Sequence, residues 1–182
     1  MSASISIKRF RPCHGQTDMM QGIELPELCQ KALARVTDAL PVPTTCRYCG
    51  AGVRVVENSA IYGRAYGNWP YSYQCTQCDA HVGLHPFTDL PLGTLANTEL
   101  REARVASKAA FSRMRDGRGF SRSRAYEWLA GEINISKDDC HFGWFDLADC
   151  ELAKSICDRD NMLNSAMGRA FATAKKSLKN NR

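Results

Sequence analysis

Four cysteines in two pairs are the side chains whose type and spacing in this sequence best suit chemistry. Cys46 and Cys49 form one Cys-x-x-Cys pair, and Cys75 and Cys78 form a second. Such a turn brings two sulfurs to one ion, and structural Zn²⁺ sites favour four thiolates in a tetrahedron. Residues 50–74 separate the pairs, slightly more than the about 15–20 residues of a usual zinc ribbon. The sequence therefore predicts one zinc ion in a ribbon with a lengthened hairpin loop.

The predicted zinc is structural, because four thiolates leave no position for a catalytic water. Two alternatives remain open. His81 and His85 lie close to Cys78 in the sequence, and an imidazole could replace a cysteine as ligand. The pairs could also be redox-active, although redox Cys-x-x-Cys motifs usually begin a helix in an α/β fold, and neither pair has that context.

The other cysteines are predicted to be buried thiols. The chain has nine cysteines, an odd number that does not fit a closed set of disulfides. The first residues contain no secretory signal, so we expect a cytoplasmic protein in a reducing environment. Cys140 with Cys150 and Cys157 is an alternative second metal site, but two helical turns would place the last two sulfurs roughly 10 Å apart. Cys29 lies on the apolar stripe of a predicted helix and is expected in the core.

The hydrophobic pattern predicts an α+β fold. It comprises a small zinc ribbon of three short antiparallel strands, packed with a helical region of about four helices plus an N-terminal helix. The strands are expected at residues 53–57, 71–74 and 80–84. The helices are expected at residues 25–40, from 98 to the glycines at 117 and 119, at 121–130, from 146 towards 157, and at 161–178.

Three segments follow from this pattern. Residues 1–43 form an N-terminal extension with one helix, residues 44–86 form the four-cysteine zinc ribbon, and residues 87–182 form a helical region that makes one unit with the ribbon. No apolar run approaches the about 20 residues that span a bilayer. We therefore expect no membrane association.

The net charge of +5 is unevenly distributed. Residues 99–124 and residues 169–182 are basic, whereas residues 125–168 between them are acidic. Basic segments can bind nucleic-acid phosphates, but they can equally pair with the acidic segment inside the fold. The candidate phosphate-binding side chains are Arg101, Arg104, Lys108, Arg115, Arg122, Arg124, Lys175 and Lys176, with Lys179 beside them.

A series of motifs resembles a zinc-finger-containing domain family of bacteria, their phages and plasmids. The motifs are Cys46-Arg-Tyr-Cys-Gly, Tyr73-Gln-Cys-Thr-Gln-Cys-Asp-Ala-His, His85-Pro-Phe-Thr-Asp-Leu-Pro-Leu-Gly and Cys140-His-Phe-Gly-Trp-Phe-Asp. The resemblance covers about residues 44–157 and implies that ribbon and helices form one unit. It makes His85, Asp89 and His141 candidates for a shared polar site, together with Thr88, Thr94, Arg122, Arg124 and Asp146. These residues could instead cap helices and brace the ribbon.

Three functions fit these features. The first is nucleic-acid binding, to DNA or RNA, with Tyr62, Tyr66 and Trp69 stacking on unpaired bases. The second is a protein-interaction module that acts on host transcription or defence. The third is a metal-dependent nuclease, which His81, His85 and Asp89 could serve. The sequence has no Gly-x-x-x-x-Gly-Lys loop and no Gly-x-Ser-x-Gly elbow, so no catalytic residue is assigned.

Overall fold

A computed structural model describes the backbone of residues 22–180 and the side chains of residues 22–165. The fold is α+β, as predicted, with a three-stranded antiparallel sheet and five helices in this part of the chain. Within it, no helix is both long and apolar enough to cross a membrane. The elements are α1 (Gln30–Leu33), β1 (Val53–Glu57), α2 (Ser59–Tyr62), β2 (Tyr71–Cys75), β3 (His81–Gly83), α3 (Thr98–Arg118), α4 (Arg122–Glu132) and α5 (Leu147–Asn180).

The sheet has the strand order β1-β2-β3, and both pairs are antiparallel. Val53 lies opposite Cys75, and Tyr73 lies opposite Val82, so the second cysteine pair begins where β2 ends. One face of the sheet is covered by a small apolar cluster. Its buried members are Cys46, Tyr73, Cys75, Ala80, Val82, Leu84 and Leu95.

Helices α3, α4 and α5 surround a second, larger apolar cluster. Both α3 and α4 begin at a side-chain cap: Asn97 accepts a hydrogen bond from the Leu100 amide at 3.0 Å, and Ser121 accepts one from the Arg124 amide at 3.3 Å. These bonds satisfy amides that have no partner inside the helix. The cluster consists mainly of Ala96, Leu100, Ala110, Phe111, Met114, Ala125, Leu129, Cys140, Phe142, Phe145, Cys150, Ala153 and Cys157.

Two predicted helices at the C-terminal end are one helix. The pattern separated residues 146–157 from residues 161–178, whereas α5 is continuous. No proline or glycine interrupts the junction, and tertiary contacts hold it in place. The guanidinium of Arg118 pairs with Asp160, and the Asn161 side-chain Nδ2 donates to the Ala110 carbonyl at 3.3 Å.

The predicted N-terminal helix is much shorter than expected. Only Gln30–Leu33 is helical, none of its residues is buried, and Cys29 is exposed rather than part of the core. The Cys29 amide donates to the Phe87 carbonyl at 2.9 Å, so this backbone pairs with the segment between β3 and α3, residues 84–97, which we call the connector. A short helix without a buried face gains too little packing energy to extend.

The connector, whose Leu92 amide donates to the Gly83 carbonyl of the ribbon at 2.9 Å, meets the segment before α5 where two glycines let the backbones touch. A Cβ atom on Gly93 would lie 2.3 Å from the Gly143 carbonyl oxygen, and one on Gly143 would lie 2.8 Å from the Leu92 carbonyl oxygen. The Thr94 amide donates to the Gly143 carbonyl at 2.9 Å. This approach leaves no room for a side chain at either glycine.

Candidate metal centre

The four predicted cysteines converge on one point of the ribbon. Their sulfur atoms all lie within 4.8 Å of one another. The Sγ atoms of Cys46 and Cys78 are 3.5 Å apart, and those of Cys49 and Cys75 are 3.4 Å apart. A tetrahedral zinc ion with Zn–S bonds of about 2.3 Å places its sulfurs about 3.8 Å apart. The cysteine side chains therefore fit a closed four-thiolate zinc shell.

Both cysteine turns direct backbone amides at a sulfur. The Tyr48 amide lies 3.5 Å from the Cys46 sulfur, and the Gln77 and Cys78 amides each lie 3.4 Å from the Cys75 sulfur. Burial raises the pKa of the Cys75 thiol, but these amides and the neighbouring thiols lower it, and the resulting pKa is about 6. Such hydrogen bonds stabilise a thiolate, the form that binds metal.

The backbone shapes these two turns and holds them together. Gly50 follows the first pair with a φ of 75°, a left-handed conformation that glycine adopts without steric cost. Its amide donates to the Cys46 carbonyl at 2.9 Å. The Thr76 amide and hydroxyl both donate to the Gly52 carbonyl, at 3.0 and 3.1 Å. The second turn is therefore bonded directly to the chain that follows the first.

Neither predicted alternative metal site forms among the side chains of residues 22–165. There, the ribbon cysteines are the one group of three or more His, Cys, Asp or Glu side chains with ligand atoms close enough to share an ion. His81 is buried with both ring nitrogens engaged: Nδ1 lies 3.0 Å from the Asp79 carbonyl oxygen and Nε2 lies 3.0 Å from the Tyr62 hydroxyl. Cys140, Cys150 and Cys157 are buried thiols, as expected.

Asp79, the residue after the last cysteine, connects the site to helix α3. Its carboxylate accepts hydrogen bonds from the Thr98 amide at 2.6 Å and from the Thr98 hydroxyl, and it pairs with Arg101 at 3.4 Å. A carboxylate near a helix N-terminus also interacts favourably with the helix dipole. Sequence reasoning missed this residue, because nothing in a single aspartate after a cysteine pair indicates which helix it caps.

Two exposed tyrosines form a platform on the loop between β1 and β2. We call Tyr62, Arg64 and Tyr66 the aromatic platform. The rings of Tyr62 and Tyr66 meet edge to face with centroids 5.6 Å apart, and the Arg64 guanidinium lies 4.5 Å from the Tyr66 ring centroid. The third predicted stacking residue, Trp69, is half-buried, packs on Tyr71 and Phe87, and donates to the Thr88 carbonyl.

The candidate phosphate-binding residues of helix α3 are largely engaged inside the protein. Arg104 donates to the carbonyls of Thr94 and Phe145 and to the Thr94 hydroxyl, with distances of 2.6–3.0 Å. Arg101 donates to the carbonyls of Asp79 and Ala96. The structure thus places these two guanidinium groups as braces between the ribbon and the helices.

The other candidate cations lie nearer the surface. Arg115 pairs with Asp116, and Arg124 lies over the ring of Phe120. Lys108 and Arg122 both lie beside Tyr126: the Lys108 amino group is 3.4 Å from its hydroxyl, and the Arg122 guanidinium is 5.6 Å from its ring centroid. The side chains of Lys175, Lys176 and Lys179 are outside the described residues.

The residues of the predicted shared polar site have separate contacts in the structure. His85, Asp89 and His141 do not bring ligand atoms together within the described side chains. The Asp89 carbonyl accepts the Tyr73 hydroxyl at 2.7 Å, whereas His141 stacks on Trp144 and lies 3.5 Å from Asp38. The connector residue Thr88 is fully buried and bonds to the His85 carbonyl and the Leu90 amide, which is a bracing role.

Comparison with known proteins agrees with this geometry. A family model described as a zinc-finger-containing domain matches residues 42–160, a segment that contains all four cysteines, the sheet, α3, α4 and the first part of α5. No curated protein and no solved structure matches the chain.

Proposed function

The chain belongs to the zinc-finger-containing domain family, and from this premise we propose that it binds single-stranded nucleic acid through the aromatic platform. The observation that carries the proposal is the exposure of two adjacent aromatic rings on a stabilised loop. Tyr62 is 52% exposed and Tyr66 is 44% exposed, although both rings are large enough to favour burial. Every nucleic-acid base offers a π-face to such rings, and stacking contributes about 1–3 kcal/mol per base.

The platform is held in position before any ligand arrives. The Asn58 side chain donates to the Tyr66 carbonyl and accepts from the Tyr66 amide, both at 3.0 Å. Gly63 and Gly67 have φ angles of 75° and 73°, and these left-handed turns bring the two tyrosines together. A preformed surface loses little conformational entropy on binding.

Hydrogen bonds connect the platform to the metal centre. The His81 Nδ1 atom must carry a proton to donate to the Asp79 carbonyl, so in the neutral ring Nε2 accepts from the Tyr62 hydroxyl. Burial lowers the pKa of His81, which keeps the ring neutral at physiological pH. Asp79 directly follows the zinc ligand Cys78. A zinc ion bound by the four cysteines would therefore influence Tyr62 indirectly, by holding in place the backbone that orients this side chain.

The positive charge near the platform suits a phosphate backbone. Arg64 belongs to the platform, and the whole chain carries a net charge of +5. Unpaired strands are favoured over a duplex, because Arg101 and Arg104 on helix α3 are engaged internally and stacking needs free base faces.

A fluorescence-anisotropy titration tests the proposal. Labelled single-stranded DNA, single-stranded RNA and duplex DNA of about 20 nucleotides would be titrated with the zinc-loaded full chain at several salt concentrations. We expect the single strands to bind more tightly than the duplex, with affinity falling as salt rises. Binding of none of these probes at low salt would contradict the proposal and favour the alternative of a protein partner.

Matched substitutions separate stacking from charge. Tyr66→Ala should weaken single-strand binding about tenfold, whereas Tyr66→Phe keeps the ring and should bind almost normally. Arg64→Gln should weaken binding and reduce its salt dependence. Arg159→Gln removes the same charge from an exposed position on α5 and should have little effect. Equal losses in all four variants would rule out a role for the platform.

A further inference from the structure

We infer that a second surface, separate from the aromatic platform, is a binding pocket for a nucleoside phosphate. The pocket lies beside the start of helix α4 and has a volume of about 490 Å³. That volume is within the range of about 300–1,000 Å³ typical of small-molecule sites. The polar and aromatic residues that line the pocket are Arg122, Ser123, Tyr126, Lys137, Asp138 and His141.

Two cations at the pocket are positioned for a phosphate. The Arg122 guanidinium lies over the Tyr126 ring, and no described carboxylate lies within 4.0 Å of it. The Lys137 amino group donates to the Ser123 hydroxyl at 2.9 Å and is 3.5 Å from the Glu127 carboxylate, which is itself well exposed. An arginine fork with a nearby lysine and hydroxyl is a typical phosphate-binding set. Helix α4 also begins here, which adds a favourable dipole to these side chains.

The other lining groups favour a nucleoside over a bare phosphate. Tyr126 contributes an aromatic wall that is half-buried and braced by Phe111 and Phe142, with ring centroids at 4.8 and 6.1 Å. Asp138 is the acidic member of the lining, and its carboxylate can accept hydrogen bonds from sugar hydroxyls, which inorganic phosphate does not offer. A ligand with a phosphate, hydroxyls and an aromatic base matches all three kinds of group.

His141 provides an aromatic edge and a means of detection. Its ring lines the pocket and stacks on Trp144 at 4.4 Å between centroids. A ligand that displaces or covers the imidazole should therefore change the fluorescence of Trp144. None of these residues belongs to the zinc site or to the aromatic platform. The pocket can therefore be tested independently of the proposed function.

Isothermal titration calorimetry with the zinc-loaded full chain tests the pocket. The probes are the 5′-monophosphates of adenosine, guanosine, cytidine and uridine, each titrated separately, with adenosine and inorganic phosphate as partial ligands. We expect at least one monophosphate to bind, and both partial ligands to bind about tenfold more weakly. Arg122→Gln and Lys137→Gln should each weaken binding about tenfold, whereas Arg159→Gln and Tyr66→Ala should leave it unchanged.

The 5′-phosphorylated end of a nucleic-acid strand offers the same chemical groups as a free nucleotide. A second experiment distinguishes these two possible ligands. Oligonucleotides with and without a 5′-phosphate would be compared in the Tyr66→Ala background. A preference for the phosphorylated strand that is lost in Arg122→Gln would identify a strand end as the ligand. Binding of the mononucleotide alone would identify a free nucleotide. If no probe binds, or if binding survives both Arg122→Gln and Lys137→Gln in folded, zinc-containing protein, the pocket is not a nucleoside-phosphate site.

Discussion

Asp79 accepts a hydrogen bond from the Thr98 amide at 2.6 Å and a second from the Thr98 hydroxyl, across the boundary between the zinc ribbon and helix α3. The aspartate follows Cys78, the last of the four clustered cysteines, and the threonine is the first residue of the helix. One carboxylate therefore joins the metal centre to the helical region. The adjacent pairing of His81 with Ala96, through amide–carbonyl bonds of 3.0 and 3.2 Å, supports the same junction.

Replacing this carboxylate should destabilise the protein without removing the metal. Asp79→Ala leaves the Thr98 amide without its acceptor and removes the ion pair with Arg101, whose bonds to backbone carbonyls remain, and we expect a loss of about 1–2 kcal/mol in the free energy of unfolding. Chemical denaturation measures it. Asp116→Ala, which removes an exposed aspartate paired with the neighbouring Arg115, is the control and should change stability by less than about 0.5 kcal/mol. Loss of zinc from Asp79→Ala would mean that the carboxylate supports the site itself.

Removal of zinc should unfold the ribbon before the helices. The apolar cluster around the sulfurs is small, so the ribbon depends on the metal, whereas the helical cluster does not include the ligands. After chelation, or in Cys46→Ser, hydrogen exchange should become fast in β1, β2 and β3 and stay slower in α3 and in residues 147–160 of α5. Elemental analysis should find one zinc ion per chain. Unchanged protection of the strands after chelation would contradict a structural metal.

The exposed and buried cysteines should differ sharply in reactivity. Burial raises the pKa of Cys140 to about 11 and that of Cys157 to about 12, and it also raises the pKa of Cys150. At pH 8, below these values, the three groups remain protonated thiols, which alkylate slowly. Iodoacetamide followed by peptide mass spectrometry should find Cys29 modified in the zinc-loaded protein and these three unmodified.

The same experiment has an internal control. Chelation should make Cys46, Cys49, Cys75 and Cys78 reactive, while the helical thiols stay protected. Raising the pH from 8 towards 10 should increase the labelling rate of Cys140 steeply, by about tenfold per pH unit, because the thiolate fraction grows in that proportion below its pKa of about 11. Rapid alkylation of Cys140 or Cys157 at pH 8 would show that the helical core opens easily.

The sequence predicted those features that depend on local spacing. The conformation of the Cys-x-x-Cys turns and of the β-branched run at Val53–Glu57 depends mainly on neighbouring residues. The position of the ribbon in the sequence is therefore predictable without tertiary contacts. The continuity of α5 is not, because the contacts of Asp160 and Asn161 with α3 decide it. Sequence periodicity does not include such long-range contacts.

The bracing role of the arginines on helix α3 also could not be predicted from the sequence. A basic stripe on a helix predicts a phosphate-binding surface, but it does not reveal that carbonyl groups from other elements will lie within reach. Arg104 forms its hydrogen bonds with residues that are ten and forty-one positions away. The pairing of Arg113 with Asp158, at 3.0 Å, likewise follows the alternative in which basic and acidic segments meet inside the fold.

Arg104→Ala should therefore act on stability rather than on nucleic-acid binding. Three acceptors, the Thr94 and Phe145 carbonyls and the Thr94 hydroxyl, would lose their charged donor, and we expect a loss of about 2–4 kcal/mol in the free energy of unfolding. The affinity of the folded fraction for single strands should stay the same in the anisotropy titration. Arg104→Lys should restore only part of the stability, because one amino group cannot replace the planar fork. A weaker affinity for single strands without a change in the free energy of unfolding would indicate that Arg104 contacts the nucleic acid.

The close contact between Gly93 and Gly143 should not tolerate a side chain at Gly93. An alanine at Gly93 would place its Cβ 2.3 Å from a backbone oxygen, which cannot move away as the end of a flexible side chain can. Gly93→Ala should therefore separate the connector from the segment before α5 or strain both, and we expect a loss of at least about 2 kcal/mol in the free energy of unfolding. Gly117→Ala is the matched control, since a Cβ at that helical position meets nothing within 4 Å. That variant should gain about 0.5–1 kcal/mol from improved helix propensity. Thermal denaturation of both variants measures the difference, and equal stability would mean that the two backbones do not touch in solution.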